Sequence, residues 1–182
     1  LQTLQDHPHG LDIGPLKPNL AARLKTADGQ VQAAPALLLN DLQRFATQPA
    51  WVEGQLLLIG RRHVRSNNSW MHNYHRLVKG KPRHQLLMNP QDLARRGLQD
   101  GQRVSVRSRV GVLEVEVLAS AEMMPGVVSL PHGWGHGRPG VQMSIAQTTP
   151  GASANDLTDE RLLDALSGNA ALNGVPVDVV AA

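Results

Sequence analysis

The sequence predicts a mainly β protein, a small barrel of short strands with short helices between them. Three observations carry this. Hydrophobic residues make up 41% of the chain but aromatic ones only 3%, so the core is aliphatic. With 17 Gly and 12 Pro the connections are turn-rich, which fits β or α+β architecture better than a helical bundle. From Gln55 onward, short apolar runs of strand length follow one another, each closed by Gly, Pro, Asn or Asp.

Residues 1–50 read as an extended arm with one short helix, a linker from a preceding domain. His7-Pro8-His9-Gly10, Gly14-Pro15, Lys17-Pro18 and Ala27-Asp28-Gly29 mark turns, with a small hairpin expected around Asp28-Gly29. Pro35 suits a helix start, and Leu38, Leu42, Phe45 and Ala46 repeat at helical spacing until Pro49 stops them. Such an arm is expected to lie on something larger. The chain opens at Leu1 without the basic start or apolar middle of a signal peptide, and reads as part of a longer chain.

Residues 51–182 carry the barrel. Gln55 to Ile59 is an almost wholly apolar run, expected to be buried on both faces. Gln85 to Met88 is the next strand. Asn89-Pro90 supplies a cap and a first helical residue, so Pro90 to Arg96 reads as a short helix ended by Gly97. After the turn Leu98 to Gly101, Arg103 to Arg109 alternates with period 2, and Val110-Gly111 reverses the chain. On the return strand, Val112 to Leu118, Leu113, Val115 and Val117 share the buried face while Glu114 and Glu116 face water. Val127 to Leu130 is a further buried strand. A short amphipathic helix is expected through Leu162, Leu163 and Leu166, then a β-type tail from Val175 to Val180.

Composition excludes several chemistries. There is no cysteine, so this chain holds no disulfide, thiolate metal site, iron-sulfur cluster or cysteine nucleophile. No apolar run approaches the roughly 20 residues of a membrane span. The net charge of +3 hides an asymmetry: from Arg61 to Arg109, ten Arg and two Lys face Asp92 and Asp100, which is +10 and leaves −7 for the rest. Fourteen of the eighteen basic residues are Arg, whose planar fork suits phosphate. Arg95, Arg96 and Arg107 read as a solvated face.

Three segments concentrate chemistry. The first follows a buried strand: Gly60, Arg61, Arg62, His63, Arg65, Ser66, Asn67, Asn68, Ser69, Trp70, His72 and Asn73. Guanidinium and backbone N–H suit phosphates, while amides, imidazoles and an aromatic plate suit a flat heterocycle. A self-satisfied polar loop explains any one of these residues; the cluster points to a ligand. The second is Pro131-His132-Gly133-Trp134-Gly135-His136-Gly137, where glycines bring backbone close to a flat ligand or simply shape a turn over a buried Trp; both readings stay open. The third is Gly151 to Asp159, where Asn155 and Thr158 read locally as helix caps.

In this order and at these separations the three segments resemble the C-terminal molybdopterin-dinucleotide-binding domain of the dimethyl sulfoxide reductase superfamily, over roughly Leu56 to Val180. The resemblance implies a double-psi β-barrel. It also implies that Gly60 to Asn73, His132 to Gly135 and Asn155, in a motif kept as Asn155, Leu157 and Thr158, cover molybdopterin guanine dinucleotide. Arg61, Arg62 or Arg65 are then expected at pyrophosphate. Asn67, Asn68, His72, Asn73 and Asn155 are expected at ring edges, with Trp70 or Trp134 at ring faces. Each charge-assisted contact is worth roughly 1.5–3 kcal/mol. The molybdenum or tungsten, its protein ligand and any cluster cysteines are implied to lie outside this chain. The partners implied are the remaining domains of one oxidoreductase, with neither nucleic acid nor membrane, and the fragment alone is expected to be inactive. Resemblance of PHGLDIGPL and RRHVRSNNSWMHN to formate-dehydrogenase-like members makes formate the expected substrate; the cytoplasm is the expected compartment. Two other classes are weighed: a small basic nucleic-acid-binding module, disfavoured by one Phe and one Tyr, and a metal hydrolase using His132, His136 and a third histidine such as His72.

Overall fold

A computed structural model of the chain describes residues 1–47, 52 and 54–182. The chain divides into two compact units, Leu1–Thr47 and Gln48–Ala182. The expected boundary at 50/51 and the stop at Pro49 lie outside the described residues.

The first unit holds α1 (Gln2–Asp6), α2 (Leu20–Arg23) and α3 (Ala36–Ala46), with Pro35 as the N-cap of α3. Leu38, Leu42 and Phe45 do share a helix, and all three are exposed. The hairpin expected at Asp28-Gly29 is a lone turn, closed by Gly29 N–H donating to Thr26 O at 3.1 Å, with no flanking strand among the described residues.

The second unit is a closed six-stranded barrel in the order β1-β5-β2-β4-β3-β6. The strands are β1 (Leu56–Arg61), β2 (Gln85–Met88), β3 (Arg103–Arg107), β4 (Val112–Ala119), β5 (Val127–Pro131) and β6 (Val175–Ala181). Between them lie α4 (His75–Val78) and α5 (Pro90–Arg95). Closure leaves no unpaired strand edge. Two parallel pairs, β1/β5 and β2/β4, are set among antiparallel neighbours. This is the double-psi β-barrel.

Its interior is aliphatic, as the composition requires. Leu56, Leu58, Leu86, Met88, Val104, Val106, Val115, Val117, Val128, Leu130 and Val179 are all buried. Each such side chain contributes roughly 1.5–3 kcal/mol on leaving water. On β4, Leu113, Val115 and Val117 point inward and Glu114 and Glu116 outward, as the alternation dictates. β1 departs from expectation: only Leu56 and Leu58 are buried, while Leu57 and Ile59 are half-exposed, so one face is buried and not two. Asn89 caps α5 by accepting from Gln91 N–H at 2.8 Å and donates to Met123 O. Arg96, expected in a solvated face, instead donates to Asp178 at 2.6 Å and to the Gly54 carbonyl.

The helix expected through Leu162, Leu163 and Leu166 is absent. Asp164 accepts from both Ser167 N–H and Ser167 Oγ at 2.7 Å, and Leu163 bridges to Ala170. That short side chain captures the backbone locally and turns the segment back on itself.

The topology gathers the three chemical segments. Because β1 and β5 are parallel with Arg61 opposite Pro131, both strands release their following loops at the same rim. β6 runs antiparallel to β1 with Val175 opposite Leu58, so the chain entering β6 arrives at that rim too. The turn between β3 and β4 also reaches it, since β4 starts where the parallel β2 starts.

Candidate functional site

At this rim a cleft of about 450 Å³ is lined by Gly60, Arg62, Asn68, His132, Gly133, Asn155, Thr158 and Asn173, over a floor that includes Leu58, Ile59 and Ala154. The volume lies within the range of small-molecule sites. All three sequence segments contribute, although Asn68, His132 and Asn155 are far apart in the chain. Among the described residues no carboxylate lines the cleft; the nearby Asp156 and Asp159 are paired with Arg138 and Arg109.

Asn68 is the joint between the first two segments. Its Oδ1 accepts from Arg62 Nη1 at 2.9 Å and from His132 Nε2 at 3.0 Å. Asn67 and Asn68 take positive φ, 42° and 60°, which Asn tolerates better than other side-chain-bearing residues. This reversal presents the Asn68 carbonyl to Gly133, where a Cβ would sit 2.3 Å from that oxygen; only glycine permits the approach. Gly60 N–H donates to Asn173 Oδ1 at 2.7 Å, leaving the Asn173 amide nitrogen beside the cleft.

Asn155 is presented by a short 3-10 turn, Ala154–Leu157, anchored by the buried Leu157. Thr158 Oγ1 donates to Asn155 O at 2.8 Å, holding the turn. The caps expected from local sequence have no helix to cap; the pair instead shapes the cleft wall.

The remaining expected residues fall into two groups. Arg61 does not line the cleft. Its guanidinium, half-buried and with its pKa lowered by that burial, donates to Ser129 O at 3.0 Å and Gln85 O at 2.9 Å, tying β1 to β5 and β2. Ser66 is buried in the loop, His63 Nδ1 accepts from Arg65 N–H at 3.1 Å, and Asn73 Oδ1 caps Ile145 and Ala146 at 2.9 and 3.1 Å. His72 and Trp134 are packed inside the loop wall, ring centroids 4.2 Å apart. Trp70, Asn67 and Arg65 are exposed and Ser69 is half-exposed, on the same loop. Burial, with repulsion from Arg83, Arg61 and Arg65, lowers the pKa of His63.

Asn173 and His84 escaped sequence reading. Asn173-Gly174 reads as an ordinary turn dipeptide. His84, whose Nε2 lies 2.9 Å from Ala152 O, borders a second cavity of about 280 Å³ with Lys81, Arg83, Trp134 and Gly151.

The geometry also bears on the metal-hydrolase and nucleic-acid readings. His72 Nδ1 lies 2.8 Å from His136 Nε2, closer than two ligands of one ion stand, while His132 turns to Asn68. Among the described residues no group of three His, Cys, Asp or Glu could hold a metal. Within the basic tract, Arg61, Arg83, Arg96, Arg103 and Arg109 are engaged by carbonyls and carboxylates of the molecule itself. Among the described residues no helix is long and apolar enough to cross a membrane.

The cleft's chemistry fits a phosphorylated heterocycle: one guanidinium, three amides, an imidazole, a hydroxyl and glycine backbone, with no opposing anion. The comparisons agree. The family model described as "Molydopterin dinucleotide binding domain" matches residues 56–176. A tetrathionate reductase chain of Salmonella typhimurium is 31% identical over 121 residues, covering 57% of this chain and 12% of that protein. The structure of acetylene hydratase from Pelobacter acetylenicus aligns with a TM-score of 0.59 at 20% identity, covering 79% of this chain and 20% of that one, and shares the fold. The chain thus spans a small part of the proteins it matches, and it belongs to the molybdopterin dinucleotide-binding domain family.

Proposed function

We propose that the rim cleft is where this domain grips its molybdopterin guanine dinucleotide, within a larger molybdenum or tungsten oxidoreductase. The observation that supports this above all is the convergence of Arg62, Asn68, His132, Asn155 and Asn173 on one cleft without a carboxylate. Arg62, and Arg65 on the exposed part of the loop, meet the phosphates by charge-assisted bonds. Asn155, Asn173 and His132 pair with base or pterin edges, Gly60 keeps the backbone low enough for a flat ring to approach, and Gly133 lets the Asn68 backbone close against it in the cleft wall. The exposed Trp70 offers a ring face. Ser66, Asn67, Ser69, His63, His72, Asn73 and Trp134 act by holding the loops in shape.

The bound group supplies the metal centre and its redox chemistry; the residues here place it and exclude water. The metal's protein ligand and the substrate funnel belong to other domains of the same enzyme, and this chain alone is inactive. Formate is the first substrate to assay with the full enzyme.

The test is cofactor content of the full-length enzyme, read as guanine nucleotide and oxidised pterin released per protein. Arg62→Ala, His132→Ala and Asn155→Ala each lower it on this reading. Wild-type content in all three variants overturns it.

A further inference from the structure

Beside the cleft lies a cluster that makes no ligand contact in the cofactor assignment, made of the buried His72 and His136 and the half-buried Trp134 and His84. His72 and His136 are buried, 2% and 6% exposed, and come from the two loops that form the cleft. Their rings meet edge to face, 5.0 Å between centroids, with Nδ1 of His72 2.8 Å from Nε2 of His136. Such a contact is a hydrogen bond only if one nitrogen carries a proton and the other does not. The opposite nitrogen, His72 Nε2, is buried without a hydrogen-bond partner, as is Nε1 of Trp134, whose ring lies against His72.

We infer that His72 and His136 are positioning residues of the cleft, a neutral imidazole pair that locks the loop after β1 to the loop after β5 and releases both when protonated. Resting on the dinucleotide reading above, this inference adds to it an acid limit for cofactor retention.

The pair joins the loops beside their other ties. Asn68 reaches His132 four residues before His72, and Asn73 caps Ile145 and Ala146 just after it. Gly135 and His136 N–H both donate to Pro150 O, at 2.9 and 3.0 Å, which fixes the second loop. Of these joints the imidazole pair is the one both buried and titratable. A proton added to His72 either turns the shared contact into two facing donors or leaves a buried N–H without an acceptor. Burial acts first on His72, and His136, Arg83 and His84, each repulsive once charged, act in the same direction; its pKa falls to about 4. The nearby Gly133 carbonyl, which makes no well-aligned hydrogen bond with the ring, opposes them only partly.

Because Trp134 lies against both His72 and His84, at 4.2 and 5.3 Å, opening the pair loosens the residue next to Gly133 in the cleft wall. The device therefore acts on the ligand through backbone position and touches no reacting atom.

The experiment uses the full-length enzyme as wild type, His136→Phe and His136→Gln, from about pH 7 to pH 4. Two quantities are read: hydroxyl-radical oxidation of Trp134 by peptide mass spectrometry, with and without cofactor, and cofactor retained after gel filtration. In wild type, oxidation of Trp134 rises several-fold and cofactor is lost as pH falls. His136→Phe, which keeps an aromatic ring but no partner, is open at pH 7 and insensitive to acid. His136→Gln restores a neutral partner, closes the wall at pH 7 and moves cofactor loss to lower pH, a rescue that simple packing damage does not give. Equal Trp134 oxidation across the pH range in wild type and His136→Gln overturns the inference even if His136→Phe fails to fold. Oxidation that follows the expected pattern with flat cofactor retention overturns the acid limit, whereas wild-type cofactor content in the Arg62, His132 and Asn155 variants overturns the dinucleotide reading itself.

Discussion

His132 donates from Nε2 to Oδ1 of Asn68 at 3.0 Å, and Arg62 donates to the same oxygen at 2.9 Å. A guanidinium can only donate, so the atom between them is the amide oxygen and His132 carries its proton on Nε2. One short side chain thereby holds two loops and one cation in register. Asn68→Asp keeps the size, the tolerance of positive φ and both hydrogen bonds, yet adds a negative charge to a cleft without carboxylates. The expected outcome is an unchanged or slightly raised thermal midpoint, with cofactor affinity lowered about tenfold or more, since ~1.4 kcal/mol of repulsion suffices. Thermal denaturation beside cofactor content of the same preparation checks it.

Arg61 and Arg62 are neighbours with opposite duties. Arg61→Met abandons the carbonyls of Ser129 and Gln85 and is expected to cost roughly 1–3 kcal/mol of stability. Arg62→Met removes an exposed guanidinium and is expected to change stability by less than about 0.5 kcal/mol while lowering cofactor content. Denaturant titration of both variants separates the roles; a stable Arg61→Met protein with low cofactor content contradicts this division.

That adjacent pair shows where sequence stops. The strands from Gln85 to Met88 and along β4 were legible, because their inward residues alternate within one segment and Asn89-Pro90 or Val110-Gly111 ends them locally. Which arginine turns inward depends on β5 and β2, whose carbonyls are remote in sequence. The same holds for Asn173, visible only as a turn residue until β6 brings it against Gly60. Leu162, Leu163 and Leu166 mimic helical spacing, but two bonds from Ser167 to Asp164 outweigh a marginal helix. The three chemical segments were legible as clusters; their meeting needed the parallel β1/β5 pairing.

Gly111 supports the cleft from outside it. Its neighbourhood is the carbonyl of Asp156, 2.1 Å from where a Cβ would stand, on the turn that presents Asn155. Gly111→Ala must push that turn away, at an expected cost of roughly 1–3 kcal/mol. Cofactor content should fall with it, although the substituted residue does not line the cleft. A crystal structure of the variant checks the displacement of Ala154–Leu157, and an unmoved turn counts against the coupling.

Acid should weaken the fold in two separate windows. His72, His84 and His136 all have pKa values below the ordinary 6.5, with burial as the leading cause, and that of His72 is about 4. Since the unfolded chain takes up these protons first, their contribution is complete above about pH 6.5 and declines as pH falls toward 4, where the His72 share is gone. Asp159 behaves separately. Its hydrogen bonds from Arg109 lower it from 3.8 to about 2, so its contribution is complete above about 3.8 and disappears toward pH 2. Denaturant midpoints across this range should show both declines. Asp159→Asn should abolish the lower one and spare the upper, whereas His136→Gln should shrink the upper, leaving the shares of the buried His72 and of His84, and spare the lower. A single decline shared by both variants would mean that the histidine cluster and the Arg109–Asp159 pair titrate as one unit, although each is held by its own partners.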